Sequence, residues 1–222
     1  WSSDVCSSDL GQAFITVDEA GQNTILVYGG ANMTLSATDV EMSAEAFIGA
    51  DFVVAQLEVP FEAIEQAFKI ARKQNITTVL NPAPAIELPK SLLELTDIII
   101  PNETEAELLT GISINNESDM KETATYFLDL GISAVLITLG EQGTYCAYQE
   151  QYKMIPACNV KAVDTTAAGD TFIGAFLSEL NKDLSNLESA IRLANQASSL
   201  TVQRKGAQAS IPTRKEVEGE YN

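Results

Sequence analysis

Two rhythms of apolar and polar positions run along this chain. Ala13–Val17 and Thr24–Tyr28 are short runs rich in β-branched and aromatic residues, separated by Glu19-Ala20-Gly21-Gln22-Asn23, which predicts a β-hairpin. Beyond it lie four nearly continuous apolar or β-branched runs: Phe52–Ala55, Thr77–Leu80, Ile98–Ile100 and Ala134–Thr138. Runs that do not alternate belong to strands covered on both faces. Between them apolar residues return at helical spacing, as at Ala63, Ala67, Ile70 and Ala71, and again at Ala124, Phe127 and Leu128. Strands alternating with helices predict an α/β fold: a parallel sheet with right-handed crossovers. Tyr145–Ala147 and Tyr152–Ile155, around Gln149-Glu150-Gln151, predict a second hairpin on the sheet. Two helices follow, one starting near Ala168 and one near Asn186. With no linker and no repeat, residues 11–222 read as one domain.

Residues 1–10, WSSDVCSSDL, break this pattern. They are Ser/Asp-rich, nearly self-repeating and without periodicity, so they read as a read-through or assembly artefact, with a flexible N-terminus as the alternative.

Composition narrows the chemistry. The formal net charge is −18, which disfavours nucleic-acid partners. A polyphosphate site in such a protein needs local positive potential from backbone amides, helix N-termini or metal ions. The chain has no histidine, which removes Ser-His-Asp and Cys-His chemistry and every His-based metal site. Carboxylates, Lys, Tyr and Cys remain as acid/base candidates. Cys6, Cys146 and Cys158 are odd in number and form no CxxC pair, which points to a reducing cytoplasm. No apolar run approaches the ~18 residues of a membrane span, and no secretion signal opens the chain.

The segment richest in chemistry is Val163-Asp164-Thr165-Thr166-Ala167-Ala168-Gly169-Asp170-Thr171-Phe172. Small residues precede a helix whose apolar positions are Phe172, Phe176 and Leu180. Ala168 and Gly169 let a ligand approach the backbone, and the helix start offers free N–H groups and a positive dipole end. Asp170, beside that anion cradle, can accept a proton from a hydroxyl. Taken alone, it could equally be a favourable first-turn acid.

The whole string resembles the DTxAAGD signature of the ribokinase family of carbohydrate and nucleoside kinases, also called the PfkB family. Pro101-Asn102-Glu103-Thr104-Glu105-Ala106-Glu107 resembles the family's PNETEAE segment, and Thr138-Leu139-Gly140-Glu141-Gln142-Gly143 its nucleotide-binding TLGxxG. Asn81-Pro82-Ala83-Pro84-Ala85 and Arg204–Pro212 resemble the branch that phosphorylates ribose. The resemblance implies a three-layer sandwich: a mainly parallel sheet with helices on both faces and a remnant β-hairpin lid. It implies ATP-dependent phosphorylation of D-ribose at the 5-hydroxyl. Alternatives are another sugar or nucleoside kinase of the family, or a non-catalytic nucleotide-binding relative.

Roles follow position by position from the resemblance. Asp170 is the general base, and Ala167, Ala168 and Gly169 supply N–H groups to the transferring phosphoryl group. Glu58 binds ribose hydroxyls. Asn102 contacts nucleotide phosphate, Thr138 to Gly143 (including Leu139, Gly140, Glu141 and Gln142) line the nucleotide pocket with Gly169, and Asn195 lies near adenine. Glu105 helps organise Mg²⁺ through water. Asp164 and Ser210 bind K⁺ with carbonyls of Thr166, Thr201, Arg204 and Gly206. The full-length form is expected to be a cytoplasmic homodimer. Each residue has a plainer reading: Glu58 as a solvated acid, Asn102 as the cap of a helix starting at Glu103, Gly140 and Gly143 as turn glycines, Asp164 as an Asx turn. Their joint order along the chain favours the functional set.

The family's early sugar-gripping aspartate and its GGKGAN loop have no counterpart here. The N-terminal third of the family pattern is therefore expected to be missing, and a chain limited to these residues is expected not to phosphorylate ribose. The absent strands are also expected to leave a sheet edge open. Gly29-Gly30-Ala31-Asn32 lies after the hairpin and lacks the lysine, so it reads as a structural turn.

Overall fold

The structure, a computed structural model, describes residues 10–17 and 23–221. The opening residues 1–9, with Cys6, and the expected hairpin turn at residues 18–22 lie outside the described residues. Two strands, β1 (Gln12–Val17) and β2 (Asn23–Tyr28), pair antiparallel in a sheet of their own. The Gly29–Asn32 segment anchors this ribbon, because the Asn32 Oδ1 accepts the Gly11 N–H at 3.1 Å.

After helix α1 (Ala37–Met42) the chain winds β3 (Phe52–Ala55), α2 (Phe61–Lys73), β4 (Thr77–Leu80), α3 (Lys90–Leu93) and β5 (Ile98–Ile99). Next come α4 (Glu103–Thr110), α5 (Glu117–Asp129), β6 (Ala134–Thr138), β7 (Thr144–Tyr148) and β8 (Gln151–Ile155). Helices α6 (Ala168–Glu179), α7 (Leu187–Thr201) and α8 (Arg214–Tyr221) complete it. The second sheet has six strands in sequence order, β3-β4-β5-β6-β7-β8. The first four are parallel and the last two antiparallel.

This winding explains the layers. Crossovers of one hand, all stepping in the same direction, put their helices on one face. Phe68 of α2, Leu92 of α3, Ala106 of α4 and Phe127 of α5 pack there with Leu80, Ile99, Val135 and Ile137. The alternate strand positions, Val79, Ile98, Ala134 and Leu136, face the other way and are covered by Phe172 and Phe176 of α6 and Ile191 and Ala194 of α7. Both faces of the inner strands β4, β5 and β6 are therefore dry, which is why they read as unbroken apolar runs, whereas Val54 on the edge strand β3 is exposed. The β7–β8 connection is a two-residue turn with positive φ at Gln149 (49°) and Glu150 (61°). No helix among the described residues is long and apolar enough to cross a membrane.

Candidate active site

The C-terminal ends of the parallel strands and the start of α6 meet at one end of the sheet. Ala167 enters α6 in the left-handed region, with φ 61° and ψ 12°, and no side chain caps the helix. An L-residue there costs roughly 1–2 kcal/mol. The conformation leaves the first amides of α6 open. Among the described residues, the N–H groups of Ala167, Gly169 and Asp170 find no acceptor. The Ala168 N–H, expected with those of Ala167 and Gly169 to meet the phosphoryl group, donates to the Thr165 carbonyl at 3.2 Å. Ser198 Oγ donates to the Ala168 carbonyl at 2.9 Å and pins the turn to α7. A cleft of about 300 Å³ opens beside Asp170, bordered by Gly174, Ile211, Pro212 and Arg214.

Asp170 is exposed in the first turn of α6, and its Oδ1 accepts a hydrogen bond from Gln56 Nε2 at 3.1 Å. The same nitrogen donates to Asn81 Oδ1 at 2.8 Å. Sequence reasoning assigns no role to Gln56 or Asn81; the available signal was their position directly after β3 and β4. Glu58, two residues beyond Gln56, is exposed.

Asn102 and Thr138 are bridged in parallel as β5 and β6 end. Asn102 is indeed the N-cap of α4: its Oδ1 accepts the Glu105 N–H, while Glu105 Oε2 accepts the Asn102 N–H, each at 2.8 Å. Asn102 Nδ2 also donates to Glu105 Oε1. Burial pushes the Glu105 carboxyl above 4.5, against the opposing pull of the Asn102 amide. Gly140 opens a short 3₁₀ turn with φ 53°, with Glu141 and Gln142 exposed on it and Leu139 buried beneath. Gly143 has a packing reason as well, since a Cβ there would fall 2.2 Å from the Ile155 carbonyl oxygen. Asn195 is buried, with Oδ1 accepting from Thr144 Oγ1 at 2.9 Å and Nδ2 donating to the carbonyls of Ile155 and Pro156. Its side chain therefore ties α7 to β7 and to the end of β8.

Asp164 joins two distant segments. Its Oδ1 accepts the Thr166 N–H at 2.9 Å and its Oδ2 the Gly206 N–H at 3.0 Å. Its own N–H donates to the Val202 carbonyl. Hydrogen bonding from Thr166 and then from Gly206 holds the carboxyl down from 3.8 to about 2. A depressed folded-state value means stabilisation that is present above 3.8 and lost as pH falls towards 2. Asp164→Asn is expected to be less stable than wild type at neutral pH, with the difference shrinking as pH drops through this window. Urea unfolding midpoints at several pH values check it; a constant difference would contradict the linkage. Ser210 is buried with its hydroxyl on the Ala207 carbonyl, and the Thr201 carbonyl accepts the Arg204 N–H.

The chain is similar to known proteins over most of its length. The model of the pfkB family carbohydrate kinases matches residues 7–214. A ribokinase of Staphylococcus aureus (strain COL) is 64% identical over 207 residues, covering 93% of this chain and 68% of that protein. The bifunctional ribokinase/ribose-5-phosphate isomerase A of Fructilactobacillus sanfranciscensis is 53% identical, with 94% of this chain and 39% of that protein covered. Among solved structures, Arabidopsis thaliana ribokinase complexed with ribose and ATP superimposes with a TM-score of 0.83 at 33% identity, covering 94% of this chain and 68% of that one.

Proposed function

Given that the chain belongs to the pfkB family of carbohydrate kinases, we propose that it transfers the terminal phosphoryl group of ATP to the 5-hydroxyl of D-ribose. The observation that carries this reading is the Asp170 carboxylate standing beside the open amides of Ala167, Gly169 and Asp170 at the start of α6. Asp170 accepts the hydroxyl proton as the oxygen attacks. The amides and the helix dipole take up charge on the transferring group, which is how a protein of net charge −18 holds a polyanion. The Arabidopsis complex with ribose and ATP supports this pair of substrates. Asn102 and the Thr138–Gly143 turn border the phosphate side, and Glu58 serves the sugar. A complete kinase should release ADP when given ribose. Release with another sugar or a nucleoside, and none with ribose, would replace the substrate.

Mg²⁺ accompanies ATP and supplies charge neutralisation at the phosphates. Both Glu105 oxygens already accept bonds from Asn102, so their remaining lone pairs suit an ion-bound water better than direct ligation. K⁺ is the second ion. Asp164 brings Thr166 and Gly206 together, and its carboxylate, Ser210 and the carbonyls of Thr166, Thr201, Arg204 and Gly206 would offer a hard cation oxygen donors alone, which supports this reading. Replacing K⁺ by Na⁺ should slow ADP release at least several-fold, and an unchanged rate would remove this ion from the site. Free Cys146 and Cys158 accord with a cytoplasmic setting. Burial pushes the Cys146 thiol up to about 12, so it is not a nucleophile at neutral pH.

A further inference from the structure

We propose that Gln56, fixed by Asn81, is the positioning residue that orients Asp170 as proton acceptor; this rests on the kinase reading above. Ile100 directly follows β5, and its carbonyl oxygen can only accept. It accepts from Asn81 Nδ2 at 2.7 Å, so the Asn81 amide nitrogen points to it and Oδ1 points away. That oxygen accepts from Gln56 Nε2 at 2.8 Å, which fixes the Gln56 amide in turn. The second proton on the same nitrogen is then directed to Asp170 Oδ1 at 3.1 Å. The orientation of two amides, ordinarily ambiguous, is thus set from one end of the relay by a group that cannot reverse.

The relay also has a firm base. Gln56, Asn81 and Ile100 stand just past the ends of β3, β4 and β5, three adjacent parallel strands. Backbone bonds continue the ladder there: Asn81 N–H to the Ala55 carbonyl at 3.0 Å, Ile100 N–H to the Leu80 carbonyl at 2.9 Å, and Leu57 N–H to the Ala83 carbonyl at 2.8 Å. Asp170 is exposed, and among the described residues its carboxylate has Gln56 as its one hydrogen-bond partner. An aspartate at an exposed helix start has several rotamers open to it. Holding Oδ1 selects one of them and leaves Oδ2 to receive the proton. A base must sit within hydrogen-bond reach of the proton it takes, and small misplacements are costly in rate. Gln56 bonds to the charged carboxylate, the kind of hydrogen bond that contributes most.

The test uses the complete kinase. Gln56→Leu removes the donor at similar volume. Gln56→Glu keeps the shape but sets a second carboxylate against Asp170. Each should lower kcat by roughly 10–100-fold, the range expected for losing a bond to a charged group. KM for ATP and the melting temperature should stay near wild type, and Gln56→Glu should be at least as slow as Gln56→Leu. In an Asp170→Asn background, Gln56→Leu should have almost no further effect on kcat, because the residue acts through that carboxylate. A Gln56 variant with kcat within about twofold of wild type would overturn the proposal. So would a raised KM for ribose at unchanged kcat, which would mark direct sugar contact, or an equal loss in both backgrounds, which would mark a structural role. If Gln56→Leu does not fold, the isosteric Gln56→Glu decides. Failure of the wild-type enzyme to phosphorylate ribose would instead count against the function reading, whereas active wild type with indifferent Gln56 variants defeats only this inference.

Discussion

Asp170→Asn, made in the complete kinase, is expected to bind ATP normally and to lose roughly 10²–10⁴-fold of its turnover. The substitution conserves size and can still accept from Gln56 Nε2 through its carbonyl oxygen, so the 3.1 Å contact need not break. The open backbone amides at the start of α6 are untouched by the change. What disappears is the ability to take a proton. Calorimetric titration with ATP and single-turnover phosphorylation separate the two properties. Turnover near that of wild type would remove Asp170 from the mechanism; loss of ATP binding would show that its carboxylate shapes the cradle.

Phe176→Ala should have the largest effect on stability. Its ring is fully buried in the layer between the sheet and the α6–α7 pair, and it stacks on Phe172 at 6.1 Å with the planes 13° apart. Truncating such a side chain costs about 3–5 kcal/mol, the transfer term plus the cavity left behind. For a chain of this size that lowers the melting temperature by roughly 6–20 °C. Phe176 lies well into α6, away from the Asp170 end, so kcat measured well below the melting temperature should change little by comparison. A shift of only a degree or two would mean that this layer repacks around the hole.

The sheet was legible for a physical reason. Strands covered by helices on both faces cannot alternate, and the runs at residues 77–80 and 134–138 coincide with β4 and β6; the run at 52–55 coincides with β3, an edge strand whose Val54 is exposed. The β5 run was one residue too long, since Ile100 already belongs to the strand end that holds Asn81. Helix α8 was missed because its sequence, RKEVEGEY, is almost wholly polar and buries Val217 against Ala197 and Leu200. A signal for it existed: Thr213 and Glu216 have the spacing of a capping box, and Glu216 Oε2 accepts from both the Thr213 N–H and hydroxyl at 2.8 Å. At the site, the local structure of contiguous motifs was legible: Asn102 caps α4 and Asp170 stands in the first turn of α6. The bond from the Ala168 N–H to the Thr165 carbonyl, beside the left-handed Ala167, has no pattern in the sequence. Gln56 escaped notice because its significance lies in partners 25 and 114 residues away, which no local pattern encodes.

The sequence-order winding of the six strands bears on how the molecule comes into being. Each strand of that sheet from β4 to β8 pairs with the one made just before it, so once β3 and β4 have met none has to wait for a later strand. Contacts that are short in sequence close early and at low entropic cost, and synthesis from the N-terminus presents them in the order in which they pair. The sheet can therefore grow strand by strand as the chain leaves the ribosome, with its crossover helices settling on one face. The other face stays bare until α6 and α7 are made. The bond between Gln56 and Asp170 spans 114 residues and closes only then. A chain halted after Asn81 and before Asp170 carries Gln56 and Asn81 but not the carboxylate that Gln56 holds.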